Sequence, residues 1–373
     1  MHLHEASGGG AVKALIAGGG TGGHFYPGYA AALELKKRGW ETLFFVKEND
    51  ISIAALDAAH LPWTQTALCG FPRSLNPLAH AAFAWKLANA LRIARNVIAD
   101  WKPDIVIGTG GYISFPAVLA ARLYGVPSLI HDSNAVFGLA NRVCAKFATA
   151  IAAGLPVPGQ NAVITGTPVR GEFANLPPRG EAAKIFGLDP QKKTVLVFGG
   201  SMGARAFNTA GIAAETALCA RMPDLQFLHI AGKAGYPALA AQKLSANIKL
   251  LEYCGEMHAA FAAADLIVCR SGASTLAELI AAKKPSIQIP LPVVAAHQED
   301  NGRVLERAGC AAVILESPNL SKDLEQAIAR LISEPQSLQK MSDAFAASGL
   351  PDPLKAASAI AALAEKTAGE IRA

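Results

Sequence analysis

Residues 18–24 read GGGTGGH, between an apolar run at 12–17 and a helical pattern. Glycines allow a ligand close to the backbone, and a helix start offers free N–H groups and the positive end of a dipole. Together they suit an anion such as a phosphate. Gly18, Gly20 and Gly23 satisfy G-x-G-x-x-G, and Glu48 lies near the end of the next apolar run. That is the dinucleotide fingerprint in its loosest form. The same loop would serve a sugar nucleotide, another diphosphate, or a bare strand–helix turn. His24 closes the loop as a candidate general base or substrate contact, or else as a capping residue. Pro27 fits the first position of the helix that follows, and Gly39 its C-terminal cap.

Three further stretches carry similar residue types. GTGGY at 108–112 follows a strand pattern and would lie on the same sheet edge, where open α/β sheets bind ligands. GGSMGAR at 199–205 repeats the design, with Ser201 offering an N–H and a hydroxyl to a phosphate, or serving as an N-cap. In CRSGASTLAE at 269–278, Thr275 and Glu278 match a capping box, with a helix starting near 274–275. The alternative for Glu278 is to accept hydrogen bonds from ribose hydroxyls. Gln298, in the polar stretch at 295–301, is a site candidate or part of a solvated loop.

The elements that must hold these residues are legible as a pattern. Short apolar runs at 12–17, 42–46, 104–108, 127–130, 148–152 and 162–165 alternate with Ala/Leu-rich helical stretches. The second half repeats this at 194–198, 226–230, 248–251, 266–269, 286–289 and 311–314. Such alternation predicts βαβ units and parallel sheets. Each half opens with a strand, a glycine loop and a helix, and ANLPPRGE at 174–181 reads as a linker or domain edge. The expected fold is α/β: two Rossmann-like domains with parallel sheets facing a central cleft. Their expected extents are 11–170 and 171–348, with a helix in 349–373 packing back on the first.

A chain of 373 residues is longer than one core usually holds, and 51% hydrophobic content excludes a disordered chain. A net charge of +5 suits anionic substrates or an anionic membrane surface and is too small to argue for nucleic acid. Six cysteines without a C-x-x-C pair indicate neither a zinc site nor a disulfide framework, and imply a reducing cytosol. The polar start MHLHEASGGG lacks the apolar core of a signal peptide, and no run is long enough to span a bilayer. The stretch 71–95 mixes Leu75, Leu78, Phe83 and Trp85 with Arg73, Lys86, Arg92 and Arg95. An apolar patch with a basic rim suits anionic lipid. Helical spacing of Phe83, Leu87, Leu91 and Ala94 allows the opposite reading, a core-facing stripe.

Taken together, the motifs resemble those of the MurG family, bacterial transferases that add N-acetylglucosamine to lipid I during peptidoglycan synthesis. The resemblance runs from about residue 12 to about residue 318. It rests on GGTGGH at 19–24, KPDIVIGTGGY at 102–112, GTPVR at 166–170, GGSMGA at 199–204, HIAGK at 229–233, CRSGASTLAE and the HQ-x-x-N after it. It implies a GT-B fold and an inverting, metal-independent transfer that gives lipid II, serving cell-wall biogenesis and, with it, cell shape and division. It needs no cofactor, and stimulation by a divalent metal stays open; the sequence has no D-x-D pair.

By match to the family motifs, UDP-N-acetylglucosamine would be held by Thr21, Gly22, Gly23, Asn134, Arg170, Ser201, Cys254, Ala273, Ser274, Thr275, Leu276, Ala277, Glu278 and Gln298. The lipid acceptor's diphosphate would face Gly19, Gly20, His24, Gly110, Gly111 and Tyr112, with His24 the leading base. Implied partners are the two substrates, an anionic membrane surface met through Leu75, Leu78, Phe83, Trp85 and Lys86, and cell-wall synthesis proteins, with no nucleic acid. The implied place is the cytoplasmic face of the inner membrane, held peripherally. Two departures stand out. His131-Asp132-Ser133-Asn134 replaces the familiar HEQN, which puts the support of that loop in question, and Cys254 replaces an isoleucine. Rival readings are an NAD-dependent oxidoreductase, another GT-B enzyme such as a diacylglycerol glycosyltransferase or a sugar-nucleotide epimerase, and a non-catalytic nucleotide-binding scaffold.

Overall fold

The computed structural model describes residues 10–68, 70–72, 75–157, 159, 161–200, 205–292 and 297–369. They form two compact units, one built from residues up to 168 together with 351 onward, the other from 169–350.

In the first unit β1 (Lys13–Ala17), α1 (Gly22–Lys37), β2 (Glu41–Lys47), α2 (Ile53–Ala58), β3 (Trp63–Thr66), α3 (Pro77–Trp101) and β4 (Ile105–Gly108) follow one another. Then come α4 (Ser114–Tyr124), β5 (Ser128–Asp132), α5 (Leu139–Cys144), β6 (Ala150–Ala153) and β7 (Val163–Ile164). The second unit holds α6 (Arg179–Ile185), β8 (Lys193–Phe198), α7 (Arg205–Arg221), β9 (Leu225–Ile230), α8 (Tyr236–Ala240), β10 (Ile248–Leu251) and α9 (Met257–Ala263). It continues with β11 (Leu266–Cys269), α10 (Ala273–Ala282), β12 (Ser286–Gln288), α11 (His297–Arg307), β13 (Ala311–Val313), α12 (Leu320–Ser333) and α13 (Pro335–Ala347). The last helix, α14 (Ala356–Gly369), belongs to the first unit.

Every strand pairing among the described residues is parallel, in the orders β3-β2-β1-β4-β5-β6-β7 and β10-β9-β8-β11-β12-β13. The strand order therefore reverses at β1/β4 in one unit and at β8/β11 in the other. Ligands of open α/β sheets bind beyond the carboxyl ends of the strands at such a reversal. The glycine turns after β1 and β4, and the turns after β8 and β11, all leave from those positions.

Parallel sheets are covered on both faces, which is why their strands read as continuous apolar runs. In β1, Ala14 and Ile16 join a buried cluster with Phe44, Val46, Ile105 and Ile107. Leu15 and Ala17 enter the opposite cluster, with Phe45, Val106, Ala94 of α3 and Val118 of α4. Helix α14 closes the first face by burying Ile360, Ala361 and Ala364 there.

Three local expectations need correction. Strand β3, WTQT, has no counterpart among the expected runs; it pairs with β2 at the sheet edge and carries polar residues at 64–66. Helix α1 begins at Gly22 after Thr21, so Pro27 lies inside the helix, whereas Gly39 (φ +83°) does follow its last turn. The stretch 174–181, read as a linker or domain edge, lies just inside the second unit, which begins at 169, and includes the start of α6.

Candidate functional site

In the first unit the two glycine turns lock together through contacts that leave no room for side chains. A Cβ on Gly18 would lie 2.0 Å from Thr109 Oγ1, and that hydroxyl donates to the carbonyl of His24 at 2.7 Å. Ser114 Oγ lies 2.8 Å from the carbonyls of both Ala17 and Gly110 and accepts the Gly110 N–H at 3.0 Å. Gly110 (φ +103°) has the histidine ring against it: a Cβ there would lie 2.7 Å from His24 Cδ2. Gly111 lies beside His24 Nδ1, and a Cβ on it would also press on the carbonyl of Gly19. The structure thus brings Gly19, Gly20, His24, Gly110, Gly111 and half-exposed Tyr112 to one end of the sheet.

His24 Nδ1 lies 3.2 Å from Thr21 Oγ1, and Thr21 makes no side-chain cap to the helix it precedes. If Nδ1–H donates to that hydroxyl, Nε2 is the basic nitrogen. One residue the sequence reading missed supports this turn. Asp50, buried beyond the end of β2, accepts the Gly20 N–H at 2.7 Å through Oδ2 and the Ser52 N–H at 3.0 Å through Oδ1. Glu48, the acid of the dinucleotide fingerprint, uses its own N–H on the carbonyl of Thr66 in β3. Asp50, not Glu48, is the acid that engages the loop's own backbone.

The altered HEQN stretch is self-supporting. Asp132 Oδ1 accepts both the backbone N–H (3.0 Å) and the side-chain amide (2.9 Å) of Asn134. Its Oδ2 accepts the Gly138 N–H and the Asn141 amide, both at 2.9 Å. The shorter acid therefore holds Asn134 directly, at the end of β5 next to β4. His131 is fully buried and its Nε2 meets the Gly166 carbonyl at 3.0 Å; burial pulls its basicity below the usual imidazole range.

In the second unit the chemistry centres on one charged pair. Arg170 Nη2 lies 3.1 Å from Glu278 Oε1, its Nη1 lies 3.5 Å from the Gly255 carbonyl, and its guanidinium sits 5.7 Å from the Phe173 ring centre. Cys254, next to Gly255, is buried, and burial pushes its thiol up. The Glu278 side chain is 16% exposed; burial raises its carboxyl above the ordinary carboxylate range, and Arg170 draws it back part of the way. The expected capping box does not form. Helix α10 starts at Ala273 after an extended Gly272, which places Glu278 beyond the first turn and frees it for Arg170. Ala273, Ser274 and Thr275 make up the half-buried first turn, while Leu276 and Ala277 turn their side chains into the core and can offer a ligand only main chain.

Gln298 Oε1 accepts the Leu291 N–H at 2.9 Å, and Asn301 donates its amide to the Ser271 carbonyl at 3.1 Å. Both ties join α11 to turns at the carboxyl edge. Ser201 and the rest of 201–204 lie outside the described residues, as do Arg73 and 293–296. Among the described residues, no group of three or more His, Cys, Asp or Glu side chains is placed to hold a metal ion.

The surface expected to face lipid divides in two. Leu75, Leu78 and Trp85 are 98%, 77% and 69% exposed. Phe83 faces the other way, packing on the core with Leu87 and Leu91 at helical spacing, so the core-facing reading holds for it. Lys86 is half-buried. No helix among the described residues is long and apolar enough to cross a membrane.

Comparison with known proteins places the chain. Residues 14–153 match the glycosyltransferase family 28 N-terminal domain, and 194–356 match its C-terminal domain. A protein of Elusimicrobium minutum, named UDP-N-acetylglucosamine–N-acetylmuramyl-(pentapeptide) pyrophosphoryl-undecaprenol N-acetylglucosamine transferase, is 41% identical over 94% of this chain and 98% of its own. The protein of the same name from Bacillus subtilis is 33% identical over 91% and 96%. The crystal structure of Acinetobacter baumannii MurG superposes with a TM-score of 0.78 at 27% identity, over 96% of this chain and all of that one. The calicheamicin glycosyltransferase CalG4 shares the fold, with a TM-score of 0.71 at 15% identity over 97% and 100%. The two parallel-sheet units are those of a GT-B glycosyltransferase, and the chain belongs to glycosyltransferase family 28, in its MurG branch.

Proposed function

We infer that the chain transfers N-acetylglucosamine from UDP-N-acetylglucosamine to the C4 hydroxyl of the N-acetylmuramyl unit of lipid I, giving lipid II for peptidoglycan. The observation that carries this is 41% identity to a transferase of that name across nearly the whole of both chains.

The residue roles are our reading of the geometry. The second unit takes the donor: Glu278 accepts the ribose hydroxyls, Arg170 holds Glu278 in place and adds positive charge for the diphosphate, and the main chain around Cys254 meets the uracil. Ala273, Ser274 and Thr275 line the donor through the start of α10, and Gln298 fixes the turn at Leu291 beside it. In the first unit the glycine turns around Gly19, Gly20, Gly110 and Gly111 receive the diphosphate of the lipid, and Thr21, Gly22, Gly23 and Asn134 are assigned to the donor by their motifs. His24 Nε2 takes the proton of the C4 hydroxyl, with Thr21 holding the ring from Nδ1. The C4 oxygen forms its bond to the anomeric carbon from the face opposite UDP. The bond to the diphosphate oxygen breaks with its electron pair, so the configuration inverts. The glycine-rich stretch 199–204, with Ser201 in it, supplies N–H groups to the charge that develops on the departing UDP.

Exposed Leu75, Leu78 and Trp85, with Lys86 beside them, dock this unit on an anionic membrane from the cytoplasmic side, where the polyprenyl tail lies. Replacing Trp85→Ser together with Lys86→Glu should weaken binding to phosphatidylglycerol vesicles in a sedimentation assay.

The decisive experiment is radiolabel transfer from UDP-N-acetylglucosamine to a lipid I analogue, with and without chelator, beside UDP-galactose. Label in the lipid product from the first donor alone is expected. Equal transfer from UDP-galactose, or none, would remove this reading.

A further inference from the structure

The second unit buries a polar chain that the transfer chemistry leaves unused. Glu215 of α7 and His229 of β9 are fully buried, and Glu215 Oε1 lies 2.6 Å from His229 Nδ1. On the other side of the ring, Nε2 faces Asn208 Oδ1 at 3.4 Å. Asn208, also buried, donates its amide to the carbonyl of Ala231 at 2.8 Å. That carbonyl fixes the amide's orientation, because reversing it would set two oxygens against each other. The oxygen of Asn208 therefore points at the ring, and Nε2 must carry a proton to meet it. A second proton lies on the short link between Nδ1 and Oε1.

Two glycines make room for this chain. A Cβ on Gly235 would lie 2.2 Å from Asn208 Nδ2, and one on Gly211 would lie 3.3 Å from His229 Cε1. Burying three polar side chains is unfavourable until their hydrogen bonds offset it, and a packed apolar core is often as stable. What the chain adds is a defined end point. Ala231 begins the turn after β9, and β9 pairs with β8, whose own turn leads into α7. The amide of Asn208 thus ties the start of α7 to the turn after β9.

We propose that Glu215, His229 and Asn208 act as positioning residues, a buried proton-bearing chain that fixes the turn after β9 against α7 and so aligns that edge for the donor's diphosphate. The proposal rests on the reading of the second unit as the UDP-N-acetylglucosamine site.

Glu215→Leu removes the partner of Nδ1 and leaves that buried ring nitrogen unpaired. Asn208→Asp keeps the acceptor for Nε2 and loses the donor to Ala231. Each variant should raise KM for UDP-N-acetylglucosamine about tenfold, the scale of one buried hydrogen bond, while KM for the lipid acceptor stays within about twofold. Because both cut the same chain, the double variant should be no worse than about twofold beyond the singles. Nitrogen-15 NMR of histidine in the full chain supplies a readout independent of variant folding: Nε2 of His229 should carry a proton. An unprotonated Nε2, or folded variants that keep their donor KM, would overturn the proposal. Loss of transfer by the unaltered protein itself would instead remove the functional reading beneath it.

Discussion

The two units share a strand order and place their turns at the same reversal, yet they stabilise those turns differently. In the first unit the clamps are short and mostly neutral. Thr109 and Ser114 hold backbone carbonyls, and one buried acid, Asp50, takes an N–H of the loop itself. In the second unit the site is built on opposed charges, Arg170 against Glu278, with the carboxyl held partly out of water. A turn pinned to its own scaffold can present a histidine with little freedom, which suits proton transfer. A charged pair at the rim can exchange partners with a nucleotide, which suits reversible binding. One topology can thus give rigidity to the carboxyl edge of one sheet and adaptability to that of the other.

The largest effect should come from the ring that the first unit holds still. His24→Ala is expected to lower kcat by about 10²–10⁴-fold, the usual range for loss of a general base, with KM for UDP-N-acetylglucosamine little changed. Steady-state kinetics with a soluble acceptor reads both. Near-normal turnover would leave the first unit as a binding platform and break the contrast.

Next comes the charged pair. Glu278→Gln should raise the donor KM by about 10–100-fold, as loss of hydrogen bonds to a charged group would. Since burial raises the carboxyl, donor binding should weaken as pH falls through a value above the ordinary carboxylate range, where Glu278 takes up a proton. Titration of KM against pH should show this acidic limb in the unaltered enzyme and lack it in Glu278→Gln.

The clamp in the first unit should act mainly on stability. Asp50→Ala leaves the N–H groups of Gly20 and Ser52 without their acceptor and should cost about 1–3 kcal/mol in urea unfolding. Donor KM should change less in this variant than in Glu278→Gln, as parallel kinetics of the two would show.

The smallest effect tests a buried charge on the far edge of the second sheet. Lys284 donates to the carbonyls of Ala262 and Ala264, and burial pulls its ammonium down to about 8. An unfolded lysine keeps its proton to about pH 10.4. Between these values the unfolded state binds more protons, so stability should rise with pH through this window. Lys284→Met should remove that component of the slope while leaving transfer intact, as comparison of denaturation midpoints across the window would show.

How much of this was legible depended on how local each signal was. Buried strands announced themselves as apolar runs, and 248–251 and 266–269 match β10 and β11 residue for residue. Strand β3 was hidden because an edge strand with Thr and Gln in it carries no apolar run. Helix starts were misread where glycine and alanine precede the helix. Small residues mark no single first position, so Pro27 and Thr275–Glu278 were assigned to starts that lie elsewhere. Glycine motifs located the sheet edge where the strand order reverses, and Arg170 and Glu278 were both named, although their pairing across 108 positions could not be read. Asp50 and the Glu215–His229 pair escaped altogether. Each is a contact between distant segments, made by a residue type that is ordinary at its own position.

The chain's return to the first unit sets an order for its folding during synthesis. Residues 169–350 are contiguous and carry their whole core, so they can close as soon as they leave the ribosome. The older, N-terminal part cannot. Its β1 face waits for Ile360, Ala361 and Ala364, which are made after the whole of the second unit. The unit that is begun first is therefore completed after the other, and until those residues emerge its exposed apolar face is what a chaperone would find.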